Sequence, residues 1–206
     1  MERGKLIYYE GGEGCGKSLQ LKLMRDYLVG KGIRVINTRE PGGTPLSERV
    51  RDILLDTKSK EIENWSEALL FQTSRALLYY NLVIPKLKEG ITVQQDRGRD
   101  SSLAYQGYGR GGDLGSIKRL NKLSTFGYEP DLAFIINISP EKGLEKQLSS
   151  DRMSIDGLEF HRRVNKGYFE IAKENPNNYI VIPYIENGLE EMHEMMKIHV
   201  NKLFNF

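Results

Sequence analysis

The chain has 206 residues, with 30 Lys and Arg against 28 Asp and Glu, which leaves a formal net charge of +2. This length fits one α/β domain, residues 1–206, and the balance of charge argues against a nucleic-acid coat or a polybasic membrane arm. No run approaches about 18 consecutive apolar residues, so no membrane span is expected. The single cysteine, Cys15, cannot form an intrachain disulfide, which suits a reducing compartment. Since the N-terminus shows no signal-peptide pattern, we expect the protein in the cytoplasm.

Short β-rich runs alternate with helical patterns along the chain, which is typical of a parallel sheet with crossover helices. In chain order, strands are predicted over residues 6–10, 33–38, 91–96, 131–138 and 179–183. Helices are predicted over residues 19–29, 65–88, 160–172 and 189–204, with a kink or an end at Pro85 in the second of them. The pattern therefore predicts a doubly wound α/β domain, with five parallel strands and helices on both faces of the sheet.

Residues 11–18 fit the phosphate-binding pattern G-x-x-x-x-G-K-[ST], between an apolar run and a helical pattern. Its glycines let the backbone point N–H groups at phosphate oxygens, and the following helix adds the positive end of its dipole. Lys17 is expected to bridge the β- and γ-phosphates, and Ser18 to ligate Mg²⁺, so ATP and Mg²⁺ are the expected cofactors. The predicted ATP-binding residues are Gly11, Gly12, Glu13, Gly14, Cys15, Gly16, Lys17 and Ser18.

A GTPase is the first alternative for a chain with this loop. A GTPase needs an Asn-Lys-x-Asp motif to read guanine, but the chain offers Asn121-Lys122-Leu123-Ser124, which lacks the aspartate. It also lacks an Asp-x-x-Gly after the loop. A P-loop kinase is the other class that carries this loop, and its acceptor could be one of several nucleoside monophosphates or a small metabolite. Such kinases share the phosphate cradle, so only the residues of the acceptor site can distinguish them.

Four segments taken in order resemble the thymidylate kinase family, over about residues 6–161. They are residues 10–18, the string Thr-Arg-Glu-Pro-Gly-Gly-Thr at 38–44, residues 69–75, and Asp96-Arg97 followed by Asp-Ser-Ser-Leu-Ala-Tyr-Gln-Gly at 100–107. The resemblance implies the P-loop NTPase fold and transfer of the γ-phosphoryl group of ATP to dTMP, giving dTDP. It also implies a homodimer.

The acceptor phosphate carries two negative charges, so several cations are needed near it. Within the resemblance, Arg39, Arg51 and Arg97 are offered for this phosphate, and the planar arginine fork suits it. Asp96 follows the third predicted strand and is expected to hold Mg²⁺, directly or through water.

The acceptor base and sugar have their own candidate residues. Phe71 and Arg75 lie four residues apart and would share one helix face, so Phe71 could stack on the pyrimidine while Arg75 donates to its O4. Gln106 would satisfy the remaining pyrimidine edge, with Ser102 beside it. The resemblance implies that Glu13 contacts the 3′-hydroxyl of the deoxyribose.

Thymidylate kinases differ in whether the catalytic arginine lies in the P-loop or in a mobile lid. Residues 13–15 contain no arginine, so the chain resembles the lid-dependent bacterial type, with a short lid predicted at about 149–158. Arg152 is the cation of that segment, and it would act with Lys17 and Arg97 as a catalytic residue. The open alternative is that Arg152 only helps to fasten the loop.

Gly98 is a departure from the family pattern. Similar enzymes have a bulky ring here, which lies against the 2′ carbon of the sugar and excludes ribonucleotides by a clash. Glycine has no side chain to make that clash. The sequence therefore predicts weaker discrimination against the ribo acceptor, unless another ring, such as that of Tyr105 or Tyr128, fills the gap.

Overall fold

A five-stranded parallel sheet forms the centre of the computed structural model, which describes residues 2–59, 62–146, 152–153 and 156–206. The strand order is β2-β3-β1-β4-β5, and each neighbouring pair is parallel. The strands are β1 (Leu6–Gly11), β2 (Val35–Arg39), β3 (Thr92–Asp96), β4 (Leu132–Asn137) and β5 (Tyr179–Pro183). The predicted fold class is confirmed, and the five predicted strands are found within about two residues of their predicted bounds.

Helices cover both faces of the sheet. They are α1 (Lys17–Gly30), α2 (Pro45–Leu55), α3 (Asn64–Leu78), α4 (Ile84–Lys88), α5 (Arg99–Ser102), α6 (Leu114–Ser124), α7 (Pro140–Glu145), α8 (Leu158–Glu174) and α9 (Leu189–Phe204). Two π-helical segments, Tyr79–Val83 and Leu103–Gly109, continue α3 and α5. Among the described helices, none is both long and apolar enough to cross a membrane.

Strand β1 is buried on both faces and divides the core in two. Because side chains alternate along a strand, Leu6 and Tyr8 join one apolar cluster, while Ile7 and Tyr9 join the other. The first cluster contains residues of α3, α8 and the 103–109 segment. The second contains residues of α1 and α9. The apolar run predicted as the first strand is therefore a central strand of the parallel sheet, with helices covering both of its faces.

The helical stretch 64–88 passes through Pro85 without ending. Proline lacks the N–H that an α-helix requires and crowds the preceding turn. Directly before it, residues 79–83 widen into a π-helical turn, in which the Ile84 N–H donates to the carbonyl of Tyr79, five residues back. The wider turn accommodates the proline, so the predicted kink or end takes the form of a π-helical segment.

Two glutamines lie fully buried in β3, where an apolar strand would be expected. The Gln94 Oε1 accepts from the Tyr9 hydroxyl at 2.5 Å, and its amide nitrogen donates to the carbonyl of Leu21 at 3.3 Å. The Gln95 amide donates to Glu40 Oε1 at 2.6 Å. The Oε1 of Gln95 has no hydrogen-bond partner among the described residues, but the other three polar atoms of the two side chains are bonded and link the strand to the polar groups of the site.

Candidate functional site

The glycine-rich loop joins the end of β1 to the start of α1, as predicted. Gly14 and Gly16 have positive φ values of 65° and 89°, a conformation that favours glycine. A Cβ at Gly14 would also lie 2.5 Å from the carbonyl oxygen of Gly143. The Lys17 ammonium folds over the loop and donates to the carbonyl oxygens of Gly11 at 3.1 Å and Gly12 at 2.7 Å. The ammonium group of Lys17 thus lies against the loop whose backbone the motif predicts to bind phosphate.

Ser18 and Asp96 come together although they are 78 residues apart in the chain. β1 and β3 are neighbouring parallel strands, so the segments after their carboxyl ends lie side by side. The Ser18 hydroxyl donates to Asp96 Oδ2 at 2.5 Å. One hydroxyl and one carboxylate suit Mg²⁺ that takes its other ligands from phosphate and water. Among the described residues, no group of three or more His, Cys, Asp and Glu side chains could hold a metal by itself.

One cavity of about 560 Å³ brings the predicted residues together. The loop residues 13–18 line it, together with Arg39, Arg51, Phe71, Arg75, Asp96, Arg97, Ser102 and Gln106. Of the predicted site residues, Gly11, Gly12 and Arg152 lie outside the described lining. Cys15 is part of this wall and is fully buried, so it fills a small slot in the loop.

Arg97 lines the cavity and is hydrogen-bonded to the P-loop. Its guanidinium donates to Glu13 Oε1 at 2.7 Å and to the Gly11 carbonyl at 3.1 Å. The Tyr105 hydroxyl also donates to Glu13 at 2.8 Å. Burial alone would raise the pKa of Glu13, but Arg97 and Lys17 outweigh it and lower that pKa to about 2. The carboxylate is therefore ionised throughout the neutral range, which suits its predicted role as an acceptor from a sugar hydroxyl.

The other two predicted phosphate arginines lie nearer the surface. Arg39 forms an ion pair with Glu48 at 2.9 Å, and its side chain is 53% exposed. An exposed pair of this kind contributes little to stability, so Arg39 can exchange its partner for a phosphate at small cost. Arg51 lies on α2 and donates to the carbonyl of Pro41 at 2.7 Å. Both guanidinium groups line the cavity that also contains Arg97.

Arg75 is 1% exposed and is held by five described hydrogen bonds. Its Nε donates to Glu40 at 2.7 Å. Its four remaining N–H bonds meet acceptors on Gln72, Asn121, Gly98 and Ser102. Burial would lower the pKa of Arg75, but the Glu40 carboxylate outweighs it and raises that pKa. The predicted contact with O4 of a base stays a prediction, and it requires Arg75 to share one of these donors, of which the 3.2 Å bond to Gly98 is the longest.

Glu67 is a site residue that the motifs did not reveal. It is 1% exposed and accepts from the Gln106 amide at 2.9 Å. It also pairs with Arg110 at 3.3 Å and with Arg152 at 2.8 Å. Since a carboxylate only accepts hydrogen bonds, it fixes the Gln106 amide with its NH₂ towards Glu67. The sequence signal for this role was weak, because one Glu near the start of a helix usually indicates an N-terminal charge preference.

The comparisons with known proteins agree with this geometry. A family model described as thymidylate kinase matches residues 9–196. The chain belongs to the thymidylate kinase family. It is 39% identical over 199 residues to a thymidylate kinase of Thermoanaerobacter sp. (strain X514), covering 96% of this chain and 94% of that one. It is 47% identical over 175 residues to a thymidylate kinase of Gloeobacter violaceus, covering 82% of each.

The fold agrees with a solved member of the thymidylate kinase family. The crystal structure of thymidylate kinase from Ehrlichia chaffeensis superposes with a TM-score of 0.78 at 35% identity. The superposition covers 95% of this chain and 98% of that chain. The fold is therefore shared with a thymidylate kinase over nearly the whole chain.

The lid predicted from the thymidylate kinase resemblance is described only in part. Residues 149–151 and 154–155 of that segment lie outside the described residues. The Arg152 guanidinium pairs with Glu67 at 2.8 Å, and its Nε donates to the Leu54 carbonyl at 2.9 Å. These contacts are the fastening contacts that the alternative reading required, while the catalytic role stays a prediction.

Exchanging Arg152 separates the two roles. If Arg152 supplies charge to the transition state, Arg152→Ala lowers kcat by about tenfold or more with little change in the KM for dTMP. We expect this result, and we expect Arg152→Lys not to restore the rate, because lysine lacks the planar fork. Steady-state kinetics of both variants measure kcat and the KM for dTMP, and so distinguish the two roles. A lysine variant with full activity would mean that the ion pair with Glu67 is all that Arg152 provides.

The space beside Gly98 is filled by Tyr8. A Cβ built on Gly98 would lie 2.7–2.9 Å from three atoms of the Tyr8 ring. The ring comes from β1, and its hydroxyl forms a hydrogen bond with Tyr79. Tyr8 is not among the described residues that line the cavity, whereas Tyr105 is, so Tyr105 stays the candidate for a ring that faces the sugar. Tyr8 is fully buried, so weaker discrimination against the ribo acceptor stays a prediction.

Adding a methyl group at Gly98 is expected to destabilise the protein. Gly98→Ala forces its Cβ against the rigid ring of Tyr8, and overpacking of this kind costs about 1–3 kcal/mol. Denaturant unfolding measures the loss. In a Tyr8→Leu background the same substitution should cost much less, because the ring is gone. Equal losses in the two backgrounds would show that the ring does not require glycine at this position.

Proposed function

We propose that the protein transfers the γ-phosphoryl group of Mg·ATP to dTMP and forms dTDP. One observation carries the proposal: residues 13–18 of the P-loop and the acceptor candidates Phe71, Arg75, Arg97 and Gln106 line one cavity. A donor site and an acceptor site that share a cavity are what direct transfer requires. Membership of the thymidylate kinase family supports dTMP as the acceptor.

Catalysis by these residues is positioning and charge neutralisation. The acceptor phosphate is already ionised, so neither a covalent intermediate nor a general base is needed. Lys17 would bind the β- and γ-phosphates, while Arg97, Arg39 and Arg51 hold the acceptor phosphate in line with them. Ser18 and Asp96 would hold Mg²⁺, which neutralises charge on the donor phosphates when bound.

The choice of acceptor is tested by product formation from ATP with each nucleoside monophosphate in turn. We expect dTMP to have the highest kcat/KM, with dCMP and the purine monophosphates far lower. The ring N3–H of thymine is absent from cytosine, so dCMP against dUMP tests whether the pyrimidine edge is read. A higher kcat/KM for another monophosphate would favour the alternative kinase, and a chain that phosphorylates none of them would not be a nucleotide kinase.

We propose that two copies of the chain form a homodimer through α3 and α6. Several large apolar side chains near these helices are exposed, and the rings of Tyr80 and Phe126 lie 6.1 Å apart. Trp65 and Leu69 are spaced by one helical turn and share a face. An exposed apolar patch of this kind marks an interface rather than a surface open to water. Its members are Trp65, Leu69, Tyr80, Leu123 and Phe126.

Charging this face is expected to separate the copies. Leu69→Glu combined with Leu123→Glu places two carboxylates in the proposed interface, which should weaken association by at least about thirtyfold. Light scattering across a concentration series measures the mass. The matched control is Ile198→Glu on α9, which is 68% exposed on the other side of the sheet. A variant that keeps the wild-type mass, or a control that loses it equally, would contradict the assignment of this face.

A further inference from the structure

Glu10 is a buried carboxyl at the end of β1 that the mechanism above does not use. It is 0% exposed, and four donors meet its two oxygens. Oε1 accepts from the backbone N–H groups of Gly98 at 2.8 Å and Ser101 at 3.3 Å. Oε2 accepts from the hydroxyls of Ser101 at 2.6 Å and Tyr168 at 3.1 Å. The Glu10 side chain is therefore hydrogen-bonded both to the segment that follows β3 and to Tyr168 of α8.

The segment that Glu10 holds begins with Arg97, whose backbone is strained. Arg97 has a φ of 62°, in the left-handed region that residues other than glycine rarely adopt. Such a conformation is unfavourable and persists only where the surroundings fix it. The Arg97 N–H donates to the Tyr9 carbonyl at 2.9 Å, and the next N–H, that of Gly98, donates to Glu10. Two adjacent residues of β1 thus hold the two peptide groups around the strained residue.

Glu10 also reaches the guanidinium of Arg97 through one hydroxyl. The Arg97 Nη1 donates to the Tyr168 hydroxyl at 3.2 Å, and that hydroxyl donates to Glu10 Oε2. The backbone and the side chain of Arg97 are therefore both connected to the same carboxyl. The remaining described hydrogen bonds of the guanidinium are to Gly11 and Glu13, and its Cζ lies 5.1 Å from the centroid of the Tyr105 ring.

Burying the Glu10 carboxyl at this position is unfavourable for the stability of the fold. Burial, and then the charge of Asp100, raise the pKa of Glu10 to about 8, while Arg97 opposes the rise. Asp100 is itself buried and bonds to the Tyr179 hydroxyl at 2.7 Å, with Arg99 beside it. None of its described partners touches Arg97. Two neighbouring buried carboxyls lower the stability of the fold. Of the two, Glu10 is the one whose described hydrogen bonds lead to Arg97.

We propose that Glu10 is a positioning residue: it fixes Arg97 in the left-handed conformation that directs its guanidinium into the cavity. Binding of the acceptor phosphate then depends on a side chain that does not touch it. The proposal rests on the proposed function, because Arg97 is assigned there to the acceptor phosphate. It deepens that assignment by naming what holds the arginine in place.

Kinetics of Glu10→Ala and Glu10→Gln test the proposal. In Glu10→Ala the bonds to Gly98 and Ser101 are lost, so kcat/KM for dTMP is expected to fall at least about tenfold. The KM for ATP should stay within about twofold, since Lys17 and the loop keep their contacts. Glu10→Gln keeps an amide oxygen for the two N–H groups and should restore most of the loss. A general loss that affects ATP and dTMP equally would overturn the proposal.

Asp100→Asn is the matched control. Asp100 is as buried as Glu10 and lies in the same segment, but it bonds to β5 instead of holding Arg97. We expect it to lower the unfolding temperature while leaving the KM for dTMP near the wild-type value. If Asp100→Asn raises the KM for dTMP as much as Glu10→Ala does, buried carboxyls matter here through stability alone, and the proposal is wrong.

A second variant decides the matter even if Glu10→Ala does not fold. Tyr168→Phe removes one hydroxyl and leaves the other three bonds of Glu10 in place. It should lower kcat/KM for dTMP about three- to fivefold in the wild type and have no effect in an Arg97→Ala background. Equal effects in both backgrounds would overturn the proposal. A wild type that does not phosphorylate dTMP would instead overturn the proposed function, so the two failures are distinguishable.

Discussion

Lys17→Ala is expected to lower kcat by about two powers of ten or more while the protein stays folded. The Lys17 ammonium would act on charge that moves between phosphates, and preorganised cations at such positions contribute most of the rate enhancement in phosphoryl transfer. Its described hydrogen bonds are to loop carbonyls and to the thiol of Cys15, a core residue whose apolar contacts do not depend on the ammonium. Removing it should therefore affect the reaction far more than the fold.

The measurement is the rate at saturating ATP and dTMP, with circular dichroism and thermal unfolding as controls for the fold. Lys22→Ala is the matched variant, because Lys22 lies on the same helix, α1, with its side chain exposed to solvent. Lys22→Ala should retain the wild-type rate. A folded Lys17→Ala protein with a near-normal rate would contradict the role assigned to the loop.

Arg75→Ala is expected to reduce the free energy of unfolding by about 3–5 kcal/mol. The substitution leaves the Glu40 carboxylate buried without its cation, and it also removes donors from four other acceptors. Denaturant unfolding measures the loss. A cycle with Glu40→Gln and Arg75→Gln, alone and together, gives the coupling: the double variant should lose less than the sum of the two single variants. Additive losses would mean that the pair is not coupled.

Arg75→Ala should also affect the choice of acceptor if Arg75 reads the base. Unpaired polar groups in a buried site cost about 1–3 kcal/mol, so dTMP should lose more in kcat/KM than dCMP, which lacks the carbonyl at that edge. Because the substitution also loosens the site, both acceptors should lose some activity. Equal losses for the two acceptors would show that Arg75 only builds the site.

The placement of the P-loop residues and of Asp96 in the fold was the most predictable from sequence, while their roles in the reaction stay predictions. The P-loop motif has a fixed spacing and a strand–loop–helix context, and both were present around Lys17. Asp96 could be placed because it ends a strand next to β1. Short motifs work here because the chemistry requires particular atoms at a few consecutive positions.

Contacts between distant segments were less predictable. Glu67, Glu10 and Tyr8 lie in ordinary strand and helix patterns, and their roles arise only when residues far apart in the chain meet. Among the described residues, four α-helices lie outside the predicted ranges, α2, α5, α6 and α7, and three of them left local signals. Thr44 and Ser139 cap α2 and α7, each directly before a proline, and Asp113 caps α6. Those signals are typical of helix starts, but the helices after them have only 11, 6 and 11 residues, against 14–17 for the four that were predicted.

The contact between Tyr8 and Gly98 couples the choice of residue at two positions far apart in the chain. A Cβ at position 98 would lie 2.7 Å from the Tyr8 ring, so any side chain at position 98 requires the ring at position 8 to move or to be replaced by a smaller group. The two positions are therefore epistatic: the effect of a substitution at one depends on the residue at the other. A side chain introduced at position 98 together with a smaller residue at position 8 should be tolerated better than the same side chain introduced alone.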